Sequence, residues 1–275
     1  MHSKPELLYL DLMKRTLSFL MWPEPPIPIT LFNKHRTPLK RKLAAGISSL
    51  LNKRRYHIMQ SWEHTAEAKE EGRAWPAYAH TMIGTKRLDQ LQTCIESVLR
   101  DGVEGDLIET GVWRGGATIF MRAVLAAYGD EKRKVFVADS FEGLPKPDAE
   151  LYPADKGDNL HEYAYLAVSK EEVEDNFRKY GLLDDRVVFL KGWFEDTLPT
   201  APISKLAVLR LDGDMYSSTI TSLENLYPKL SLGGFCIIDD YALPGCKQAV
   251  DDYLERIGAD FALTPIDKSS SYWRK

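Results

Sequence analysis

A chain of 275 residues, 44% hydrophobic and 28% charged, is long enough to bury a core without disulfides or a structural metal. That composition excludes collagen, a disordered tail protein and a membrane bundle. With 36 Lys and Arg against 40 Asp and Glu, the net charge of −4 argues against nucleic acid as the main partner.

The first 80 residues differ in character from the rest and read as a helical extension, leaving 81–275 as the main domain. Leu7 to Met21 carries apolar residues at Leu8, Leu10, Leu12, Leu17, Leu20 and Met21, which fits an amphipathic helix roughly. Pro23, Pro25, Pro26 and Pro28 then stop any helix. Between Leu31 and Arg55 the sequence has eight Lys or Arg residues (34, 36, 40, 41, 42, 53, 54 and 55) and no acid. Such a stretch suits a membrane surface or an anionic partner. A solvated helix with basic ends is the commoner case and is the expectation here. The extension is expected to pack on the core or on a neighbouring subunit, and the second case would make a homo-oligomer. No run of about 18 apolar residues exists, so no stable membrane insertion is expected. The opening Met-His-Ser-Lys-Pro-Glu lacks a secretory pattern. Cys94, Cys236 and Cys246 form no Cys-x-x-Cys pair and suggest reduced thiols. A soluble, cytoplasmic protein is expected.

From Met82 onward the pattern becomes regular. Thr85 to Arg100 carries a helical stripe through Leu88, Leu91, Cys94, Ile95, Val98 and Leu99. Short apolar strands follow at 105–111 (closed by a glycine turn), 135–139, 187–190, 206–212 and 234–239, with helices expected at Ala117–Tyr128, Glu171–Tyr180, Tyr216–Leu230 and Cys246–Ile257. Strands alternating with helices imply a parallel sheet covered on both faces, an α/β fold. The polar and aromatic insert from Pro145 to Val168, with Asp148, Asp155, Asp158, His161 and Tyr163, is long for a strand–helix connection and reads as a lid.

In an open α/β sheet, ligands bind beyond the carboxyl ends of the strands. The first strand ends Glu109-Thr110-Gly111-Val112-Trp113-Arg114-Gly115-Gly116, a glycine turn before a helix that differs from the dinucleotide fingerprint. The second ends in Asp139, placed to accept both hydroxyls of a ribose or else to cap the next helix. The third runs into Gly192-Trp193-Phe194, where two aromatics either sandwich an adenine or pack in the core. Together these describe a pocket for an adenosine-containing cofactor. Without a phosphate loop, a nucleoside-linked sulfonium is favoured over a nucleoside triphosphate. The last two strands end Leu211-Asp212-Gly213-Asp214 and Ile238-Asp239-Asp240. Four carboxylates converging there repel one another unless a hard divalent cation such as Mg²⁺ sits among them.

These residues together resemble the macrocin O-methyltransferase family, which methylates deoxysugars on natural products. The resemblance runs through Glu-Leu-Leu-Tyr-Leu-Asp-Leu-Met-Lys near the start, Thr-Met-Ile-Gly at 81–84, Glu-Thr-Gly-Val-Trp-Arg-Gly-Gly at 109–116 and Ala-Asp-Ser-Phe-Glu-Gly-Leu-Pro at 138–145. It continues in Gly-Trp-Phe-Glu-Asp-Thr-Leu-Pro at 192–199, Leu-Arg-Leu-Asp-Gly-Asp-Met-Tyr at 209–216 and Ile-Ile-Asp-Asp-Tyr at 237–241. It implies a class I, Rossmann-like methyltransferase sheet, S-adenosylmethionine as methyl donor and Mg²⁺ as required ion. By position, Glu109, Gly111 and Trp113 would line the methionine side of the cofactor and Asp139 would hold the ribose, with Ser140 beside it. Trp193 and Phe194 would lie near the adenine, with Thr81 and Met82 contributing from the N-terminal side. Asp212, Asp239 and Asp240 correspond to the metal ligands and Asp214 to the general base.

The expected activity is therefore methylation of a sugar hydroxyl on a glycosylated natural product or activated deoxysugar. A metal-dependent catechol methyltransferase and a catalytically silent cofactor-binding module are the rivals. His2, His35, His57, His64 and His80 read as surface or satisfied polar residues, and His161 stands out only by its place in the insert.

Overall fold

The structure, a computed structural model, describes residues 4–31, 38–259 and 261–275. His2, Lys34, His35 and Arg36 lie outside the described residues. Helix α1 (Lys4–Leu17) sends Leu10, Met13 and Leu17 inward at helical spacing, into the same cluster as the helices of the main domain. Each such leucine stabilises the fold by about 1.5–3 kcal/mol. Strand β1 (Ile27–Pro28) is followed by α2 (Pro38–Asn52) and β2 (Met59–Gln60), which pairs antiparallel with β1. The basic segment thus forms a helix, but Leu39, Leu43, Ile47 and Leu50 on it are exposed while Ala44 and Ser48 turn inward. Short α3 (Ala66–Glu70) is capped by Thr65, whose hydroxyl accepts from the Ala68 amide at 3.1 Å.

The regular part runs α4 (Gly84–Arg100), β3 (Asp106–Thr110), α5 (Gly116–Ala127), β4 (Val135–Asp139), α6 (Lys170–Lys179), β5 (Val187–Lys191), α7 (Phe194–Thr197), β6 (Leu206–Leu211), α8 (Tyr216–Leu226), β7 (Leu230–Ile238) and α9 (Pro244–Arg256). It closes with β8 (Thr264–Pro265) and β9 (Ser271–Arg274). The sheet order is β5-β4-β3-β6-β7-β9-β8, with β3 to β7 parallel and the last two strands antiparallel. This is the doubly wound α/β sheet expected from the sequence. Helices cover both faces, one core cluster including Leu88, Ile95 and Phe120 and the other Leu209, Leu223 and Val250. Burial on both sides explains why the strands read as unbroken apolar runs. The closing hairpin was not anticipated, and neither was the start of β7 at Leu230. Trp273, 2% exposed, anchors the hairpin under the sheet. The strand order reverses between β3 and β6, so the ligand crevice is expected at their carboxyl ends.

Candidate active site

At that crevice the loops after β3 and β6 touch. Gly111 has φ +85°, and a Cβ there would lie 1.7 Å from the Asp212 carbonyl oxygen, so only glycine allows the approach. Trp113, Phe141 and Asp214 adopt left-handed backbone with φ of 48°, 58° and 57°, each just past the end of a different parallel strand. Strain at non-glycine residues of this kind concentrates where a fold has to aim side chains. A cavity opens here, lined among others by Met82, Gly111, Trp113, Asp139, Ser140, Trp193, Phe194, Asp212 and Asp214. Two expected cofactor contacts stand outside its wall. Thr81 is buried against Gly116 and accepts from the Ile83 amide at 3.3 Å, and Glu109, 2% exposed, turns its carboxylate to Arg210.

Asp139 sits where the loops after β3 and β4 meet. Its Oδ2 accepts from the Val112 amide at 2.8 Å and its Oδ1 from the Phe141 amide at 2.7 Å, tying two loops together, while the residue also lines the cavity. Burial pushes its carboxyl above the usual range, and the Phe141, Val112 and Trp113 amides pull it back. Trp193 and Phe194 are half-buried at the start of α7, facing the same space.

The tips of β6 and β7 bring Asp212, Asp239 and Asp240 together, each with one carboxylate oxygen within 4.8 Å of the others'. Asp214 stands beside this group, its amide donating to Asp240 Oδ2 at 3.2 Å. Burial, then Asp212, Asp239 and Asp158, push the Asp214 carboxyl up to about 8. Burial and the neighbouring Asp239 raise Asp212, and burial with Asp214 raises Asp240 well above the usual range. The sequence reading missed the two guanidiniums that face these acids. Arg210, 1% exposed, donates to Glu109, to Asp212 Oδ2 at 2.7 Å and to Asp239 Oδ1; Arg87 reaches Asp239 Oδ2 at 2.5 Å and Asp267 Oδ2 at 2.7 Å. A signal existed, because Arg210 interrupts an otherwise apolar strand. Among the described residues, six carboxyls (Glu109, Asp212, Asp214, Asp239, Asp240, Asp267) still surround these two cations.

A second cavity shares Met82, Leu166, Asp212 and Asp214 with the first and is walled further by Trp75, Ile83, Arg87 and Leu160. The 145–168 insert roofs both. Trp113 Nε1 donates to the Tyr165 carbonyl at 3.0 Å, and the Tyr165 ring stacks on Trp75. Asp155, 3% exposed, accepts from the amides of Tyr216 at 2.6 Å and Ser217 at 3.0 Å, capping α8 from the insert. Asp155→Ala leaves both amides without that acceptor. A cap is worth about 0.5–2 kcal/mol, so a fall in Tm of about 1–8 °C is expected in a thermal melt; an unchanged Tm would refute the latch. His57, His64 and His80 each have a neighbour, and burial, with Lys179 and Arg114, pulls His80 down to about 4. His161 Nδ1 is buried without a hydrogen-bond partner, and the three cysteines are buried and free. No described helix is long and apolar enough to cross a membrane.

Comparison with known proteins matches residues 6–275 to the family model Macrocin-O-methyltransferase (TylF). The chain is 50% identical over 268 residues to the 8-demethyl-8-(2,3-dimethoxy-alpha-L-rhamnosyl)-tetracenomycin-C 4'-O-methyltransferase of Streptomyces olivaceus, covering 97% of this chain and 92% of that one. It is 54% identical over 211 residues to the demethyldecarbamoylnovobiocin O-methyltransferase of Streptomyces niveus, covering 76% and 80%. Among solved structures, the O-methyltransferase NovP superposes with a TM-score of 0.84 at 45% identity, covering 98% of this chain and 99% of that one.

Proposed function

The chain belongs to the macrocin O-methyltransferase family and is an O-methyltransferase of class I α/β fold, and we propose that it carries the methyl of S-adenosylmethionine to a sugar hydroxyl of a glycosylated natural product with the help of Mg²⁺. The observation that carries this reading is the meeting of two cavities at Asp212 and Asp214. One suits a nucleoside, with Asp139 for the ribose, Ser140 beside it and Trp193 and Phe194 for the adenine. The other is open to an acceptor. The rhamnosyl group in the name of the Streptomyces olivaceus relative supports a sugar as that acceptor. The extension, residues 1–80, supplies Trp75 to the acceptor wall, and we assign it part of the lid.

The donor set fits a hard divalent cation. Asp212, Asp239 and Asp240 offer oxygens alone, and six carboxyls against two guanidiniums leave negative charge to neutralise. Asp212, Asp239 and Asp240 would hold such an ion, and it would supply positive charge to stabilise the developing alkoxide. Asp214 accepts the hydroxyl proton as the new O–C bond forms and the C–S bond breaks, leaving a neutral thioether. Trp75, Leu160 and Leu166 keep water from the methyl, and the shared wall at Met82 brings the two reactants into line.

The test is methyl transfer from labelled donor to a panel of glycosides and to a catechol, with Mg²⁺ and with EDTA. Mg²⁺-dependent labelling of a glycoside is expected. Full turnover in EDTA would remove the metal from the reading, labelling of the catechol alone would favour the phenolic rival, and donor binding without turnover would favour a silent module.

A further inference from the structure

Asp239 is held by one neighbour on β6 and by two parts of the chain outside the five parallel strands. Its Oδ1 accepts from Arg210, its Oδ2 from Arg87 Nη1 at 2.5 Å, and its backbone carbonyl from Ser270 Oγ. Arg87 lies in the first turn of α4 with its side chain 7% exposed. Its Nε donates to Asp267 Oδ2 at 2.7 Å and its Nη2 to the Glu71 carbonyl at 3.3 Å. Asp267, its side chain 1% exposed, sits in the β8–β9 turn, where its Oδ1 accepts from the amides of Ser269 at 2.7 Å and Ser270 at 2.9 Å. The turn therefore reaches Asp239 twice, once through Ser270 and once through the Asp267–Arg87 pair. Asp267 lines neither cavity of the site.

We propose that Asp267 and Arg87 are positioning residues for the metal-binding carboxylates: Asp267 engages one edge of the Arg87 fork, so that the other edge fixes Asp239 facing Asp212 and Asp240 while leaving it free to bind a divalent cation. The inference rests on the Mg²⁺ reading above. Its physical basis is the sharing of one guanidinium between two buried carboxylates. A planar fork contacts both in fixed directions, which an ammonium does not. Without the Asp267 charge, the whole Arg87 charge falls on Asp239 and competes there with an incoming cation. Partners standing behind metal-binding side chains typically change metal affinity by about 10–100-fold when altered.

Titration of Mn²⁺ into the full-length protein by calorimetry, with S-adenosylhomocysteine affinity measured in parallel, tests this. Asp267→Asn keeps shape and removes charge. The expected result is Mn²⁺ binding about 10–100-fold weaker with S-adenosylhomocysteine binding unchanged. The apparent KM for Mg²⁺ should rise by the same factor, and kcat should return at saturating Mg²⁺. Unchanged Mn²⁺ affinity overturns the proposal, and so does equal weakening of both ligands, which marks a merely structural pair. Amide exchange on the unsubstituted protein decides the matter if the variant fails to fold. Mn²⁺ should slow exchange at Ser269 and Ser270, and exchange indifferent to Mn²⁺ overturns the proposal. A wild-type protein that binds no Mn²⁺ at all brings down the metal reading itself and this inference with it, an outcome distinct from a defect confined to the variant.

Discussion

Asp214→Asn is expected to lower kcat by about 10²–10⁴-fold, the span of a lost general base, while Mg²⁺ affinity changes little. Asparagine keeps the size of the side chain and the backbone amide that donates to Asp240, so the cluster of Asp212, Asp239 and Asp240 stays in place. What disappears is the group able to take the hydroxyl proton where the two cavities meet. The pH dependence separates this from a packing defect. A base works only when it has lost its proton, so wild-type kcat should rise with pH through the carboxyl's own titration. Burial and the charges of Asp212, Asp239 and Asp158 put that titration at about 8 without a cation. A cation among the neighbouring acids favours the ionised form, so added Mg²⁺ should move the rising limb to lower pH. In Asp214→Asn the limb should be absent. Equal kcat values for variant and wild type, or a limb that survives the substitution, would exclude Asp214 as the base.

The contrast between what the sequence disclosed and what it hid follows from the range of each interaction. Asp212, Asp214, Asp239 and Asp240 were legible because strand ends are local events: an apolar run, then acids, and a fold rule that puts such ends on one side of the sheet. The glycine at 111 was legible as a turn, although the reason only glycine serves, the Asp212 carbonyl 1.7 Å from a would-be Cβ, belongs to a different strand. Arg87 and Asp239 are 152 positions apart, and Arg87 and Asp267 are 180 apart. Periodicity says which face of α4 is buried but not which charge waits there, and Arg87 lies just before the apolar stripe. Glu109 shows the same limit. Its place at the end of β3 matched a cofactor contact by position, yet in three dimensions its carboxylate turns to Arg210 instead of the cavity. Helix α2 was legible as a basic helix, but composition does not reveal that Leu39, Leu43, Ile47 and Leu50 are left uncovered. Asp267, Ser269 and Ser270 are far in sequence from every residue of the site except Asp239 and Asp240, and pairing of β9 with β7 brings their turn behind it.

The largest effect on stability is expected from Arg210→Met. Arg210 is 1% exposed and is the sole residue among those described that donates to Glu109, Asp212 and Asp239 together. Removing one side of a buried ion pair leaves the other uncompensated, at a cost of about 3–5 kcal/mol, and methionine keeps most of the volume, so cavity formation adds little. Arg210→Lys should be milder but still damaging, because one ammonium does not span three carboxylates as a planar fork does. The sign of the pH effect provides the check. Glu109 is already pushed up to about 8 by burial, with Arg210 pulling the other way, so loss of Arg210 raises it further. A carboxyl whose folded value exceeds its unfolded value holds a proton in the folded state across that interval. Stability therefore falls as pH rises through it. Urea midpoints of Arg210→Met should lie close to wild type near pH 5 and fall well below it near pH 8, and Mg²⁺ should recover part of the difference by occupying the carboxylates of the folded state. A deficit that is the same at both pH values and indifferent to Mg²⁺ would mean that Arg210 fills space and that its charge is not what holds the strand tips together.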